Sequence, residues 1–201
     1  MENIVNKPYA QACDRNSSAI LDVLNTQLAK ANSVLEIGSG TGQHAVSFSR
    51  ALPHLQWQTS DLEPNHPGIK LWIDEAKLNN ILPPLTLDAL QTEDWPTQRY
   101  DTIFTANTCH IMPMIAVEKM FQQIQHNLSE QGCFIIYGPF KYNGQHTSQS
   151  NIHFDQWLRN EEAHRGVREM NWLIQLAQQG GLSLSEDIAM PANNRILIWQ
   201  R

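Results

Sequence analysis

A chain of 201 residues, 41% of them hydrophobic, is long enough to bury a substantial core in a single domain. Its net charge of −6, with no lysine or arginine cluster able to neutralise a row of phosphates, disfavours a nucleic-acid partner. No apolar run approaches the roughly 18 residues of a membrane span, and MENIVNKPYAQ lacks the basic-then-apolar order of a signal peptide. Cys13, Cys109 and Cys133 are scattered and match neither a disulfide framework nor a cysteine zinc site. The expectation is a soluble, cytoplasmic chain with no membrane contact.

Ile20, Leu21, Leu24 and Leu28 recur at helical spacing and predict an N-terminal helix, with Asp14, Ser17 or Ser18 as its cap. SVLEIG then reads as a strand, TGQHAVSFSRAL as a helix ended by Pro53, and LQWQTSD as a second strand. NHPGIKLWIDEAKLNN places a proline near a helix start and carries an apolar face on to Asn80. LTLDA predicts a third strand, TQRYDTIFTAN a fourth, PMIAVEKMFQQIQHNL an amphipathic helix and QGCFIIYGP a fifth strand. Beyond Pro139 the rhythm changes. FKYNGQHTSQSN is polar and turn-rich, FDQWLRNEEAHRG and REMNWLIQLAQQGG read as helices, and LSLSEDIAM and NRILIWQR face each other across PAN as a hairpin.

The alternation of strand and helix predicts an α/β, doubly wound, mostly parallel sheet. One domain over residues 1–201 is expected: a helical segment at 1–32, a ligand-binding core at 33–138, a lid or substrate segment at 139–181 and a closing hairpin at 182–201. In such a sheet the first strand-to-helix turn is the usual ligand cradle, and here it holds Gly38, Ser39, Gly40 and Gly42. A nicotinamide fingerprint G-x-G-x-x-G would need glycine where Gln43 stands. Glu36, at the tip of the first strand, would also repel a pyrophosphate and attract an ammonium group. Asp61 closes the second strand 23 residues after Gly38, where a carboxylate accepts from ribose hydroxyls. Asp88 is the next acid on that rim. Three acids in a row suit a cationic adenosine cofactor, S-adenosylmethionine, better than NAD.

The run EIGSGTG, followed by SDLEP, LDAL and YDTIFTAN, resembles the class I S-adenosylmethionine-dependent methyltransferase superfamily, and the closing pair of strands is similar to that superfamily's antiparallel hairpin. The resemblance implies a Rossmann-like, seven-stranded sheet with an antiparallel C-terminal strand. More narrowly, DRNSSAIL, GPFKYNG, SNIHFDQWLR and MPANN resemble a poorly characterised "methyltransferase-like" family without an assigned reaction. By this resemblance Glu36, Gly38, Ser39, Gly40, Asp61 and Leu62 contact the methionine and ribose moieties, Asp88 and Ala89 the adenine, and Asn107 stands beside the methionine. S-adenosylhomocysteine would be the product. Each of these residues also admits a structural role, glycines for close packing and aspartates as strand ends or helix caps.

On the acceptor side, TANTCHIMP places His110 where a general base would serve a protonated small-molecule acceptor; a histidine bonded to a loop carbonyl is the alternative. The (Asp/Asn)-Pro-Pro-aromatic motif of many nucleic-acid and protein methyltransferases is absent, since Thr108 follows Asn107. Tyr142 and Asn143 in the lid segment are substrate candidates, as are Arg15, Asn16, Arg168, Asn193 and Asn194 in the narrower family's motifs. Caps and turns are their structural alternative. Asp155 and Arg159 are expected to form a surface ion pair, Cys109 to be a small buried residue, and most of the six tryptophans to pack in the core. No HxxxH or HExxH occurs, so no metal is expected. Two rival functions remain beside methyl transfer to a small molecule: a non-catalytic S-adenosylmethionine-binding or regulatory module, and an NAD-dependent oxidoreductase.

Overall fold

The computed structural model describes residues 6–201; residues 1–5 of the expected N-terminal segment, with the signal-peptide reading of the opening stretch, lie outside the described residues. The strands form a seven-stranded sheet, mostly parallel and flanked by helices, and a second sheet of three short strands. By packing the chain divides into two compact units that meet in sequence at Asp88 and Ala89.

The first unit runs α1 (Gln11–Gln27), β1 (Ser33–Ile37), α2 (Gln43–Ala51), β2 (Gln56–Asp61), a 3₁₀ turn, α3 (His66–Ala76) and β3 (Ile81–Thr86). β2 lies between β1 and β3, all parallel, with Glu36 opposite Thr59 and Asp61 opposite Thr86. Its core includes Ile20 and Leu24 of α1 and Leu28 just after it, Val34, Leu35 and Ile37 of β1, Phe48 of α2, Trp57 and Ile69, all buried, while Leu21, Trp72, Ile73 and Ala76 of the expected helix faces are only half-buried.

Three boundaries in this unit differ from expectation. α1 opens at Gln11 with no side-chain cap; its terminus is instead held by Gln43, whose Oε1 accepts the Ala10 amide at 2.5 Å, so Asp14, Ser17 and Ser18 lie inside the helix. α3 stops at Ala76, where Lys77 turns left-handed, and this frees Asn80 to donate to the Ser49, Leu52 and Leu55 carbonyls at the end of α2. β3 runs through Pro83 and Pro84 instead of beginning after them. An edge strand tolerates proline because one row of its backbone groups needs no ladder partner. Gln58 and Thr59 of β2 donate to the Pro83 and Leu82 carbonyls at 2.7 and 2.8 Å, in place of ladder bonds lost at a register shift.

The second unit contains β4 (Tyr100–Ala106), α4 (Met114–Asn127), β5 (Leu128–Gly138), β6 (Phe140–Tyr142), β7 (Gln145–His146), α5 (Gln149–Glu161), β8 (Arg168–Glu169), α6 (Met170–Gln179), β9 (Ser183–Met190) and β10 (Asn194–Gln200). β4 and β5 are parallel, β10 runs antiparallel against β5, and β9 and β10 form the expected hairpin. Phe121, Phe134 and Trp199 meet with ring centroids 5.3 to 5.7 Å apart at the heart of this unit. Trp157 departs from the core expectation: it is 51% exposed.

The segment expected to be an open polar loop is a β6–β7 hairpin. Asn143 and Gly144 take the two left-handed positions of its tight turn, with φ of 53° and 77°, and both their amides donate to the Glu169 carboxylate at 2.9 Å. α5 begins at Gln149, five positions before the expected Phe154, because Ser148 caps it by accepting the Asn151 amide. Among the described residues no helix is long and apolar enough to cross a membrane.

Gly42 precedes α2 at φ 89°, and a Cβ there would stand 3.2 Å from Ile69 Cα and 3.4 Å from Trp72 Cβ. Gly40, at φ 59°, would meet nothing within 4 Å. Gly42→Ala is therefore expected to cost up to about 3 kcal/mol and Gly40→Ala about 1 kcal/mol, read from urea unfolding midpoints at constant m-value. Equal losses would show that α3 yields to the extra methyl group.

Candidate cofactor site and the His110 loop

In the first unit the glycine loop is built around two carboxylates. Glu36, next to last in β1, has 2% of its surface exposed. Its Oε2 accepts from the Ser39 hydroxyl at 2.8 Å and from the Trp57 indole N–H at 3.1 Å. Burial pushes its pKa up to about 7, against the pull of those two hydrogen bonds, and the nearby charge of Asp61 adds to the rise. The Ser39 hydroxyl also accepts the Ser60 amide, while the Ser60 hydroxyl donates to the Glu36 carbonyl, so the tips of β1 and β2 are stitched from both sides.

Asp61 closes β2 and reaches back to the loop. Its Oδ2 accepts the Gly40 amide at 2.6 Å, and its Oδ1 accepts the Leu62 amide and the Asn65 side chain at 2.8 and 2.7 Å. A carboxylate offers about four acceptor positions; three are taken by the chain itself. Glu36, Gly38, Ser39, Gly40, Asp61 and Leu62 are thus one cluster. Leu62 is 48% exposed and Gly40 is exposed, so the cluster opens outward there. Asp88, half-buried, ends this unit in the loop after β3.

The helix α1 crosses the start of α2 through a polar contact. Asn16, a substrate candidate, is buried, and its Oδ1 accepts from His44 Nε2 at 2.7 Å. His44 stacks on Phe48, and burial lowers its pKa to about 4. Arg15 faces solvent and donates to Gln11 one helical turn back. Trp57, Ser60 and His44 were not anticipated from the sequence. Only the pairing of β1 with β2 and of α1 with α2 reveals them.

In the second unit Ala89 is buried, and Asn107 stands just past β4 at φ 59° with its amide on the Tyr137 carbonyl. His110 follows in a tight loop and is 5% exposed. Its ring meets Phe154 edge-on at 5.2 Å, and its carbonyl accepts the Gly166 amide at 2.9 Å. Burial, then the charges of Arg168 and Arg165, hold its pKa down at about 4, so the imidazole is neutral at pH 7. Cys109 is buried as expected, with its thiol pushed up to about 12 by desolvation.

The remaining acceptor-side candidates have partners within the protein. Tyr142 donates to the Asp187 carboxylate, which also takes Arg195 Nε at 2.7 Å. Asn143 is the hairpin turn already described. Asn193, at φ 59°, donates to Ser150 and through its carbonyl receives Asn151, while Asn194 donates to the Pro191 carbonyl. Arg168 is buried and donates to the Cys109, Met112 and His164 carbonyls.

Asp155 is not the surface ion-pair residue that its helical spacing to Arg159 suggests. It is 7% exposed; Oδ1 accepts the Val167 amide at 2.6 Å, and Oδ2 faces Arg159 and His146, both at 3.3 Å. Periodicity located the pair but carried no signal that the 165–168 segment folds over it.

The fold is that of class I S-adenosylmethionine-dependent methyltransferases. The chain is similar to an O-methyltransferase family protein from Burkholderia thailandensis, at 17% identity and a TM-score of 0.83 over 94% of this chain and 57% of that one. It is also similar to an O-methyltransferase family 2 protein from Planctomyces limnophilus in complex with apigenin, at 12% identity and a TM-score of 0.79 over 92% of this chain and 56% of that one. PigF with SAH matches at 12% identity and a TM-score of 0.79, over 94% of this chain and 56% of that one. The likeness is one of fold, and this chain spans a little over half the length of each neighbour. Over residues 7–201 it matches the family described as "Protein of unknown function (DUF938)", and it belongs to that family.

Proposed function

We propose that the protein is an S-adenosylmethionine-dependent methyltransferase acting on a hydroxyl group of a small molecule. The observation that carries this reading is the buried Glu36 carboxylate behind the glycine loop. A pyrophosphate brought there would meet a buried acid, whereas an ammonium group would restore to that acid the charge partner its surroundings lack. The likeness to O-methyltransferases supports the same choice. So does Gln43 at the position where a nicotinamide site needs its third glycine.

The residues present fit the cofactor. Glu36 would meet the ammonium, directly or through water, and Gly38, Ser39 and Gly40 would let the ligand approach the backbone. Asp61 has one acceptor position left for a ribose hydroxyl, with Leu62 beside it, and Asp88 and Ala89 are the adenine candidates. Asn107 is retained as the methionine-side candidate. When bound, the cofactor supplies a sulfonium-activated methyl carbon. The task left to the chain is to align an acceptor oxygen and remove its proton. His110 is suited to this in one respect, since its ring is neutral at pH 7 and has a lone pair to offer. Its low basicity favours an acidic hydroxyl, such as a phenol, over an alkanol. Arg15, Asn16, Tyr142, Asn143, Asn193 and Asn194 stay as secondary substrate candidates. The same low basicity supports the second reading, a binding module that keeps the cofactor site without transferring a methyl group.

Titration calorimetry separates these readings from an NAD enzyme: S-adenosylmethionine and S-adenosylhomocysteine are expected to bind and NAD is not. An incoming ammonium lowers the Glu36 pKa from about 7. Binding therefore expels a proton below that value, and affinity falls by up to about tenfold per pH unit as the pH drops. Glu36→Gln should bind more weakly and lose this pH dependence; a pH-independent wild type would remove Glu36 from the ammonium site.

His110→Gln should leave cofactor affinity within about twofold while labelled methyl transfer into a metabolite extract falls by about 10²- to 10⁴-fold. Repeated absence of transfer by the wild type, with cofactor binding intact, would favour the binding module.

A further inference from the structure

Arg168 is one of the substrate candidates from the sequence, and the structure gives its guanidinium a different use. Nε donates to the Cys109 carbonyl at 2.8 Å, and Nη2 donates to the Met112 carbonyl and, at 2.9 Å, to that of His164. Cys109 and Met112 bracket His110 in the chain. Between them the His110 carbonyl takes the Gly166 amide at 2.9 Å. Three contacts from the 164–168 segment, on Cys109, His110 and Met112, therefore hold the short loop that carries the imidazole.

That segment is itself fixed from α5. Asp155 Oδ1 accepts the Val167 amide at 2.6 Å, while Oδ2 faces Arg159 and His146 at 3.3 Å and Lys141 at 4.0 Å. Space at Gly166 is closed by the same carboxylate, since a Cβ there would stand 2.8 Å from Asp155 Oδ1. The residue before Asp155 is Phe154, whose ring lies edge-on to His110. One turn of α5 thus supports the imidazole directly through Phe154 and the clasp around it through Asp155.

We propose that Arg168, backed by Asp155, is the positioning residue for His110, holding the 109–112 loop by its carbonyls and standing beside the imidazole as a fixed positive charge. The functional meaning of this rests on His110 as the acceptor-side base. A guanidinium suits the task because its donors leave in a rigid plane and reach two carbonyls at once. Bonded to neutral carbonyls instead of a carboxylate, it keeps its positive field, and the neighbouring ring feels it. The charged groups that face His110 are Arg168 and Arg165 from this segment. Phe154 of α5 and Gly138 of β5, the latter 3.8 Å from Nδ1 by the position of an added Cβ, bring no charge. Arg168 would then act on His110 and not on the substrate.

The test is nuclear magnetic resonance of the full chain with labelled histidine, His110 being assigned by its loss in His110→Gln. The wild-type ring is expected to titrate near its value of about 4. Arg168→Met should raise the proton affinity of His110 by about tenfold and speed amide exchange in the 109–112 loop. Arg168→Lys keeps the charge without the planar fork, so it should leave the titration near that of the wild type while exchange still rises. Asp155→Asn, which retains an acceptor for the Val167 amide, should alter both readouts less than Arg168→Met.

A folded Arg168→Met with unchanged titration and unchanged exchange overturns the proposal. Should that variant not fold, unchanged exchange in Arg168→Lys overturns it instead. Neither readout needs cofactor or acceptor. Intact methyl transfer by His110→Gln would therefore sink the base assignment while leaving the positioning result standing.

Discussion

The first unit is organised by the cost of burying one carboxylate. Glu36 sits where β1 ends and the glycine loop begins, and a charge there without partners would lose several kcal/mol to desolvation. Ser39 and Trp57 donate to it, and each of these is fixed in turn: Trp57 lies inside β2 among core side chains, and Ser39 takes the Ser60 amide. Asp61 completes the set by holding the Gly40 amide. The left-handed turn of Gly38 lies between Glu36 and Ser39, where the backbone must bend sharply to bring the hydroxyl back over the carboxylate.

This explains which parts of the site were legible in the sequence. Spacing after a predicted strand sufficed to place Glu36, the glycines and Asp61 at successive strand ends, because the parallel α/β pattern fixes where strand ends lie. The partners of Glu36 were not legible. Trp57 reads in the sequence as one more core aromatic, and its N–H finds Glu36 only because β1 and β2 pair with Val34 opposite Trp57. The same holds for α1, whose start is set by Gln43, 33 positions away, and not by any local cap.

Sequence periodicity was least informative between residues 139 and 170. Its elements are short, and their bonds run between segments: Glu169 to the Asn143 turn, Tyr142 to Asp187, Asp155 to Val167, Arg168 to Cys109. Asp155 and Arg159 do lie one helical turn apart, as expected, yet that spacing describes only the minor partner of a buried carboxylate. Polar residues drawn from short motifs were sound indicators that something is built there. They did not say whether the builder was a ligand or the fold.

His44 and His110 sharpen that distinction. Burial lowers both to about 4, so a perturbed pKa by itself does not separate a catalytic histidine from a structural one. Their surroundings differ. His44 has a hydrogen-bond partner in Asn16 and a stacked ring in Phe48, and its role of joining α1 to α2 is complete. His110 is held by its backbone and by an aromatic edge, with two arginines beside it, so its ring nitrogens are positioned without being committed to a carboxylate or amide. A neutral imidazole held in this way, in a loop clasped by a buried guanidinium, would suit the proton transfer from an acidic hydroxyl proposed for it.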